Sequence, residues 1–376
     1  MINQINEIKG NKGEWSELYV LLRLLADGKI HGADESLNKL EEVFFPILKI
    51  IRNKGTEQKT EYVPGEQVEI YVNDQLVHSV SRNEFEQESE RLLREIKSGS
   101  GGAFAIQSAQ NFMEKICCKQ ISAPSRDKSD ITMMIHDSQT GYRPTVGFSI
   151  KSNLGSSPTL LNAGRATNFL YKIVSNNYHL LEQANAIYRL GTEKGIDVRK
   201  RINKISQEGK IEFLKTGTDI FSANLLLIDS RMEEIIAHTL LYYYRDGLSS
   251  CEDIVKRLEE EDPLHFNNAY AYRYKFKKFL AAIALGMKPG TVWEGIDEAS
   301  GGYIIVKDDG EVLAYHLYNR NYFEDYLLKN TKYDTPSTTR HGFGEVYEED
   351  VDGKTLSLIK LNLQIRFCLL YTSDAA

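Results

Sequence analysis

Asp130, Ser149 and Lys151 are the residues whose types and spacing best suit chemistry. They lie in SDITMMIHDSQTGYRPTVGFSIKSN, Ser129 to Asn153, which reads as two strands and a turn. Ile131 to Ile135 is apolar, His136 to Pro144 carries Asp, Ser, Gly and Pro, and Thr145 to Lys151 alternates. Val146, Phe148 and Ile150 share one face of the second strand, and Gly147, Ser149 and Lys151 the other. With Asp130 leading the first strand, the hairpin holds a carboxylate and an ammonium where two strands meet. A carboxylate there suits a hard cation, and an ammonium offsets charge developing on a phosphate oxygen. The bland alternative is a hairpin with a polar rim and a lysine at its solvent end.

This stretch resembles the PD-(D/E)XK nucleases, whose core is an Asp on one strand and an acid-x-Lys on the next. Asp130 matches the first acid and Lys151 the lysine, while Ser149 stands where an acid is usual. The element that can supply the missing carboxylate is amino-terminal. In NKGEWSELYVLLRLL, Asn11 to Leu25, residues Trp15, Leu18, Leu22 and Leu25 fall at helical spacing and Leu21 widens the stripe. Glu17 lies at the edge of that stripe, so its carboxylate is partly buried and needs a partner. Lys12, Gly13 and Glu17 form a K-G-x-x-x-E arrangement similar to the first motif of Holliday-junction resolvases, whose helix glutamate completes a metal site. Glu14 sits in the first turn, where a carboxylate is often only a favourable charge at the helix end.

Further elements must frame this site. Ala33 to Asn53 is expected to be a helix capped by Asp34, with Leu37, Leu40, Val43, Phe44, Ile47, Leu48 and Ile51 buried. Tyr62 to Val80 reads as a hairpin turning at Asn73 and Asp74, before an acidic helix from Asn83 to Ile96. Ser98 to Gly102 is a flexible joint, and Phe104 to Cys118 a helix leading to the Asp130 hairpin. The loop from Ser152 onward, SNLGSSPTLLNAGRATNFLYKI, gathers Asn162, Arg165, Thr167 and Asn168, and Phe169 to Val174 looks helical. Those asparagines either present donors to a ligand or cap turns.

Asn176 to Lys288 is mostly helical, with basic patches at Arg199 to Lys210 and Arg273 to Lys278. Such patches suit phosphate-backbone contact, although solvated helix faces are the simpler single explanation for either one. Tyr242, Tyr243 and Tyr244 cannot all face one way on a helix, so some are core. Tyr303 to Lys307 and Val312 to Leu317 flank a DDG hairpin, a helix from Tyr322 to Leu328 follows, and Arg340 and His341 occupy a loop. In Lys360 to Phe367 the residues Leu361, Leu363, Ile365 and Phe367 face one way, and Lys360, Asn362, Gln364 and Arg366 the other. That polar face carries the donors and acceptors that read base edges, arginine on guanine and asparagine or glutamine on adenine. An ordinary half-exposed strand is the alternative.

The whole composition is that of a globular protein. Hydrophobic residues make up 41% and charged residues 26% of 376, enough to bury a large core in two domains or one with insertions. No apolar run reaches the roughly 18 residues that span a bilayer, and MINQINEIKGNKGEW has neither a signal core nor a cleavage site. The expected compartment is the cytoplasm, with no membrane partner. Cys117, Cys118, Cys251 and Cys368 show neither zinc nor disulfide spacing. The net charge of -7 weighs against a nucleic-acid partner without excluding one, since a metal site itself needs acids. CLLYTSDAA, Cys368 to Ala376, looks like a translated sequencing adapter on a gene truncated after about Phe367.

The blocks KGNKGEWSELYVLLRLLADGK, KSDITMMIHD, GFSIKSNLGSSPTLLNAGRATNFLYKI, GGYIIVKDDGEVLAYHLYN, TPSTTRHGFGEVY and KLNLQIRF together resemble the HpaII family of type II restriction endonucleases, from about Lys9 to Phe367. The resemblance implies a prokaryotic, Mg2+-dependent enzyme that cuts both strands of a short palindrome, CCGG, alongside a methyltransferase protecting host DNA. A palindrome in turn implies a homodimer or paired monomers. The expected fold is mixed α/β: a PD-(D/E)XK-like core with a central mixed sheet in residues 1–175, a helical region in 176–290 and a β-rich DNA-reading region in 291–367. Asp130, Glu17 and the Ile150 carbonyl are the expected metal ligands, and Lys151 and Ser149 act on the attacking water. The expected DNA contacts are Ser152, Asn162, Arg165, Asn168, Arg340, His341, Asn362, Gln364 and Arg366. Two readings stand beside this one: a structure-specific nuclease of the resolvase kind, and a DNA-binding protein that has lost catalysis through Ser149.

Overall fold

The computed structural model describes residues 7–52, 59–123, 129–138, 140–191, 195–268, 270–315, 320–351 and 353–368. Of the tail Cys368 to Ala376, expected to be foreign, residues 369–376 lie outside them. Helix and sheet are mixed throughout, as the sequence led us to expect. Two compact units form, one of residues 1–158 and 297–326, the other of 159–296 and 327–368. The bounds of these units differ from the stretches 1–175, 176–290 and 291–367 given with the expected fold, because strands far apart in sequence pair with one another.

The first unit is built on a nine-stranded sheet. Its order is Lys29–Ala33, Val312–Tyr315, Gly302–Val306, Thr145–Ser152, Ile131–Ile135, Lys39–Arg52, Thr60–Pro64, Gln67–Val72 and Gln75–Ser81. Gly302–Val306 runs parallel to Thr145–Ser152, with Tyr303 opposite Ser149. All five residues of Gly302–Val306 are buried, as suits a continuous apolar strand between two neighbours. The DDG turn behind it places Gly310 at φ 101°, where a Cβ would come within 2.3 Å of Leu93. The Gly310 carbonyl accepts from the Tyr19 hydroxyl at 2.5 Å, which ties this hairpin to the Glu17 helix.

That helix is Lys12–Asp27. Asn11 and Glu14 form a reciprocal capping box at its start, and Gly28, at φ 65°, ends it. Trp15, Leu18, Leu21, Leu22 and Leu25 are buried as the spacing predicts, and Tyr19, Val20 and Leu24 are buried with them. The acidic helix is Arg82–Ser98, tied to the first by the Arg82 guanidinium on the Ala26 carbonyl. Asn73 and Asp74 make the expected turn, both with positive φ.

Four expectations are corrected. The stretch expected to be a helix over Ala33 to Asn53 is the strand Lys39–Arg52. Asp34 shapes the turn before it, accepting from the amides of Ser36 and Asn38. Pro46 sits inside the run, where a helix would lose a hydrogen bond and clash. The helix expected over Phe104 to Cys118 is shorter, Gln107–Lys115, and follows a two-residue strand, Phe104–Ala105. Phe169 to Val174 belongs to the strand Asn168–Ser175, not to a helix. The single strand expected over Lys360 to Phe367 is divided: Lys354–Asn362 and Ile365–Phe367 lie in different sheets.

The second unit holds those two sheets. One has the order Gly209–Thr216, Asn168–Ser175, Lys354–Asn362, Val346–Val351, and the other Thr159–Leu161, Ile365–Phe367, Thr331–Tyr333, all antiparallel. Most of residues 176–288 is helical, as expected, apart from the strand Gly209–Thr216. Tyr242 and Tyr244 are buried within a π-helical turn, and the Tyr244 hydroxyl donates to the Asn362 carbonyl at 2.9 Å. The four cysteines are free thiols. Among the described residues no helix is long and apolar enough to cross a membrane.

Candidate active site

The Asp130 and Lys151 strands pair antiparallel from Met134 opposite Thr145 to Ile131 opposite Phe148. The Asp130 amide adds one more ladder bond, to the Phe148 carbonyl at 2.8 Å. Beyond it, the Asp130 side chain takes over from the backbone. Its Oδ2 accepts the Ile150 amide at 2.6 Å and the Ser149 hydroxyl at 3.1 Å. Lys151 Nζ donates to Ser149 Oγ at 3.0 Å. Ser149 thus bridges ammonium and carboxylate in the place where the sequence lacks an acid. From the parallel strand, the buried Tyr303 ring faces the same ammonium, 5.3 Å from ring centre to Nζ.

Glu17 reaches this cluster from its helix. Its Oε2 accepts the Ala123 amide at 2.8 Å. Burial pushes the carboxyl up from 4.5 to about 8, and the negative Asp130 adds to the rise; the Ala123 hydrogen bond, Arg52 and Lys151 oppose it. Glu14, by contrast, is occupied by the cap, its Oε2 accepting the Asn11 amide at 2.8 Å. Ser152 serves the frame as well: its Oγ lies 2.8 Å from Ser16 Oγ on the Glu17 helix and accepts the Leu154 amide.

Arg52 was not singled out by the sequence. It ends the strand Lys39–Arg52, is buried, and its guanidinium donates to the carbonyls of Asp130, Gln120 and Ile121. An arginine closing an apolar run is the one signal available, and a helical reading of that run hides it.

The residues expected to touch DNA, apart from Ser152, fall in the second unit and divide into two groups. Asn168 and Asn362 are 5% and 1% exposed, and their amides are used internally. Asn362 Nδ2 donates to the Gly164 carbonyl at 2.7 Å and to Asn168 Oδ1 at 2.6 Å. Asn168 Nδ2 donates to the His341 carbonyl at 2.9 Å. Together they bind the Arg165 turn to the short helix Thr338–His341, a stretch expected to be a loop and turned into a helix by the Ser337 cap. Asn162, Arg165 and Arg340 are exposed, and His341 and Gln364 are half-buried. Arg366 Nε lies 3.1 Å from Asp334 Oδ2 but out of hydrogen-bond line.

The basic patches are largely spoken for. Arg201 is buried, donating to Asn185, Ile187 and Gly344, while Lys204 pairs with Glu208. In the second patch Arg273 pairs with Glu252 and Glu259, and Lys275 with Asp229. Solvated or ion-paired helix faces account for them without DNA.

Sequence comparison agrees with the resemblance read from the motifs. The family described as HpaII restriction endonuclease matches residues 11–367. The chain is 43% identical over 366 residues to the type II restriction enzyme HpaII of Haemophilus parainfluenzae, covering 95% of this chain and 98% of that protein. No solved structure matches. The similar proteins are restriction endonucleases, a class of hydrolase whose substrate is DNA. The chain belongs to the HpaII restriction endonuclease family.

Proposed function

We propose that this enzyme is a Mg2+-dependent nuclease of the PD-(D/E)XK kind that cuts both strands of CCGG, working as a homodimer or paired monomers beside a methyltransferase that protects host DNA. The observation that carries the chemistry is the hydrogen-bonded run Lys151, Ser149, Asp130 with Glu17 beside it. The target sequence rests on the family resemblance over nearly the whole chain.

The donor set fits Mg2+. Among the described residues no group of three or more His, Cys, Asp and Glu side chains gathers to cage a metal. Two carboxylates, Asp130 and Glu17, with the Ile150 carbonyl leave room for the waters that Mg2+ retains. Two crowded carboxylates, one of which holds its proton to about pH 8, are also what a divalent charge would relieve. When bound, Mg2+ supplies positive charge against the scissile phosphate and eases ionisation of the attacking water.

The remaining work falls to the chain. Lys151, held by Ser149 and the Tyr303 ring, orients the water and donates to the phosphate oxygen as charge develops there. Ser149 leaves the Asp130 Oδ1 atom for the cation, since its own bond goes to Oδ2. Arg165, Arg340 and Arg366 are the candidates for guanine contact, with Asn162, His341 and Gln364 near them in sequence. Asn168 and Asn362 hold the Arg165 turn and the Arg340 helix in place.

Digestion of unmethylated phage DNA in Mg2+, followed by sequencing of the fragment ends, tests the whole reading. Discrete ends sharing CCGG are expected, and Lys151→Ala should cut about a thousandfold more slowly while still binding. Wild-type cleavage by that variant would remove Lys151 from the mechanism. Cutting of branched junctions alone would favour the resolvase reading, and salt-sensitive binding without cutting the inactive binder.

A further inference from the structure

We propose that Arg52 is a positioning residue for DNA cleavage, whose guanidinium fixes the spacing of the two carboxylates that would hold the cation. The inference rests on the reading of Glu17 and Asp130 as ligands. Arg52 is 7% exposed, at the end of the strand that neighbours the Asp130 strand. Its Nη1 donates to the Asp130 carbonyl at 3.3 Å, so it grips the backbone of one carboxylate directly. The two hydrogens of Nη2 go to the carbonyls of Gln120 at 3.0 Å and Ile121 at 3.3 Å. Ile121 lies two residues before Ala123, whose amide holds Glu17 Oε2 at 2.8 Å. One planar fork therefore joins the backbone behind both carboxylates.

The choice of residue type supports this role. Burying a charge is costly, and an apolar side chain would fill the strand end at less expense in solvation. A guanidinium offers what an apolar group lacks, several donors fixed at set angles and able to span separate carbonyls. Lysine would keep the charge and lose the span.

The test is thermal unfolding of the DNA-free protein during a Mg2+ titration, run on the wild type, Asp130→Asn, Arg52→Lys and Arg52→Met. Single-turnover cleavage is measured alongside. The wild type should show a Mg2+-dependent rise in Tm that Asp130→Asn abolishes. Both Arg52 variants should need at least about tenfold more Mg2+ for half of that rise, with cleavage partly restored by excess Mg2+. Arg52→Met takes the guanidinium from three carbonyls and is the variant at risk of not folding; Arg52→Lys then decides. Arg52→Lys with an unchanged Mg2+ midpoint overturns the proposal, and so does failure of both variants to fold, which would make Arg52 a plain structural residue. A wild-type protein that shows no Mg2+ response, or one that Asp130→Asn retains, overturns the ligand reading itself.

Discussion

Glu17 carries a pH dependence to which the site can be held. In the unfolded chain its carboxyl ionises near 4.5, and in the folded, metal-free protein near 8, chiefly through burial and then through Asp130. Between those values the folded state keeps a proton that the unfolded state has released. Stability contributed by this group therefore falls as pH rises from about 4.5 to about 8, and is level above that. Glu17→Gln removes the component. In EDTA its Tm advantage over the wild type should widen steadily from pH 5 to pH 8; a constant difference would show that Glu17 is not held protonated. With Glu17 as the proposed ligand, Mg2+ would act in the opposite sense, because it favours the carboxylate, so its midpoint should tighten as pH approaches 8.

At the scale of elements, what could be read in the sequence was what local patterns encode. The Glu17 helix was visible in its apolar spacing, and the Asp130 hairpin in an apolar run, a polar turn and an alternating strand. Lys39–Arg52 was misread because its apolar residues also fit a helical period. A register shift between Ile47 and Lys49 breaks the strict alternation of a strand, leaving Pro46 as the telling residue. Asn168–Ser175 was misread because it is a central strand with neighbours on both sides, and Phe169, Leu170, Tyr171 and Ile173 are all buried. The polar face expected over Lys360 to Phe367 fails at Asn362, where the chain leaves one sheet for another and the amide turns inward. Pairing partners distant in sequence, which give Arg52 its role, leave no local trace. The inward amide yields a prediction. Asn362→Ala leaves Asn168 Oδ1 without its donor, at a cost of about 1–3 kcal/mol, while the Gly164 carbonyl keeps its bonds from Thr167. Urea unfolding should show that loss, and cleavage should discriminate less well between CCGG and its single-base variants, since the Asn168 amide that ties the Arg165 turn to the Arg340 helix loses the bond that orients it. Unchanged stability would mean that the bonds of Asn362 are replaced by water.

For the molecule as a whole, symmetry is the strongest constraint. On the proposed site, a chain with one Lys151 and one Asp130 places one lysine and one pair of carboxylates at one phosphate, whereas a restriction cut needs two, one in each strand. In CCGG each strand presents the same bases in the same order, so two chains related by a twofold axis meet identical half-sites. A 20-base-pair duplex carrying one CCGG, held uncut with Ca2+ in place of Mg2+, should therefore take up two chains in analytical ultracentrifugation. A limiting complex of one chain per duplex would sink the symmetric reading. Mixed protomers give the kinetic form of the same argument. Wild type blended with an excess of Lys151→Ala should convert plasmid DNA chiefly to the nicked circle, because most pairs that hold any working lysine then hold only one. Linear product formed at the wild-type rate in such a blend would mean that one active site visits both strands in turn, and that the two halves of the palindrome are read by a single chain.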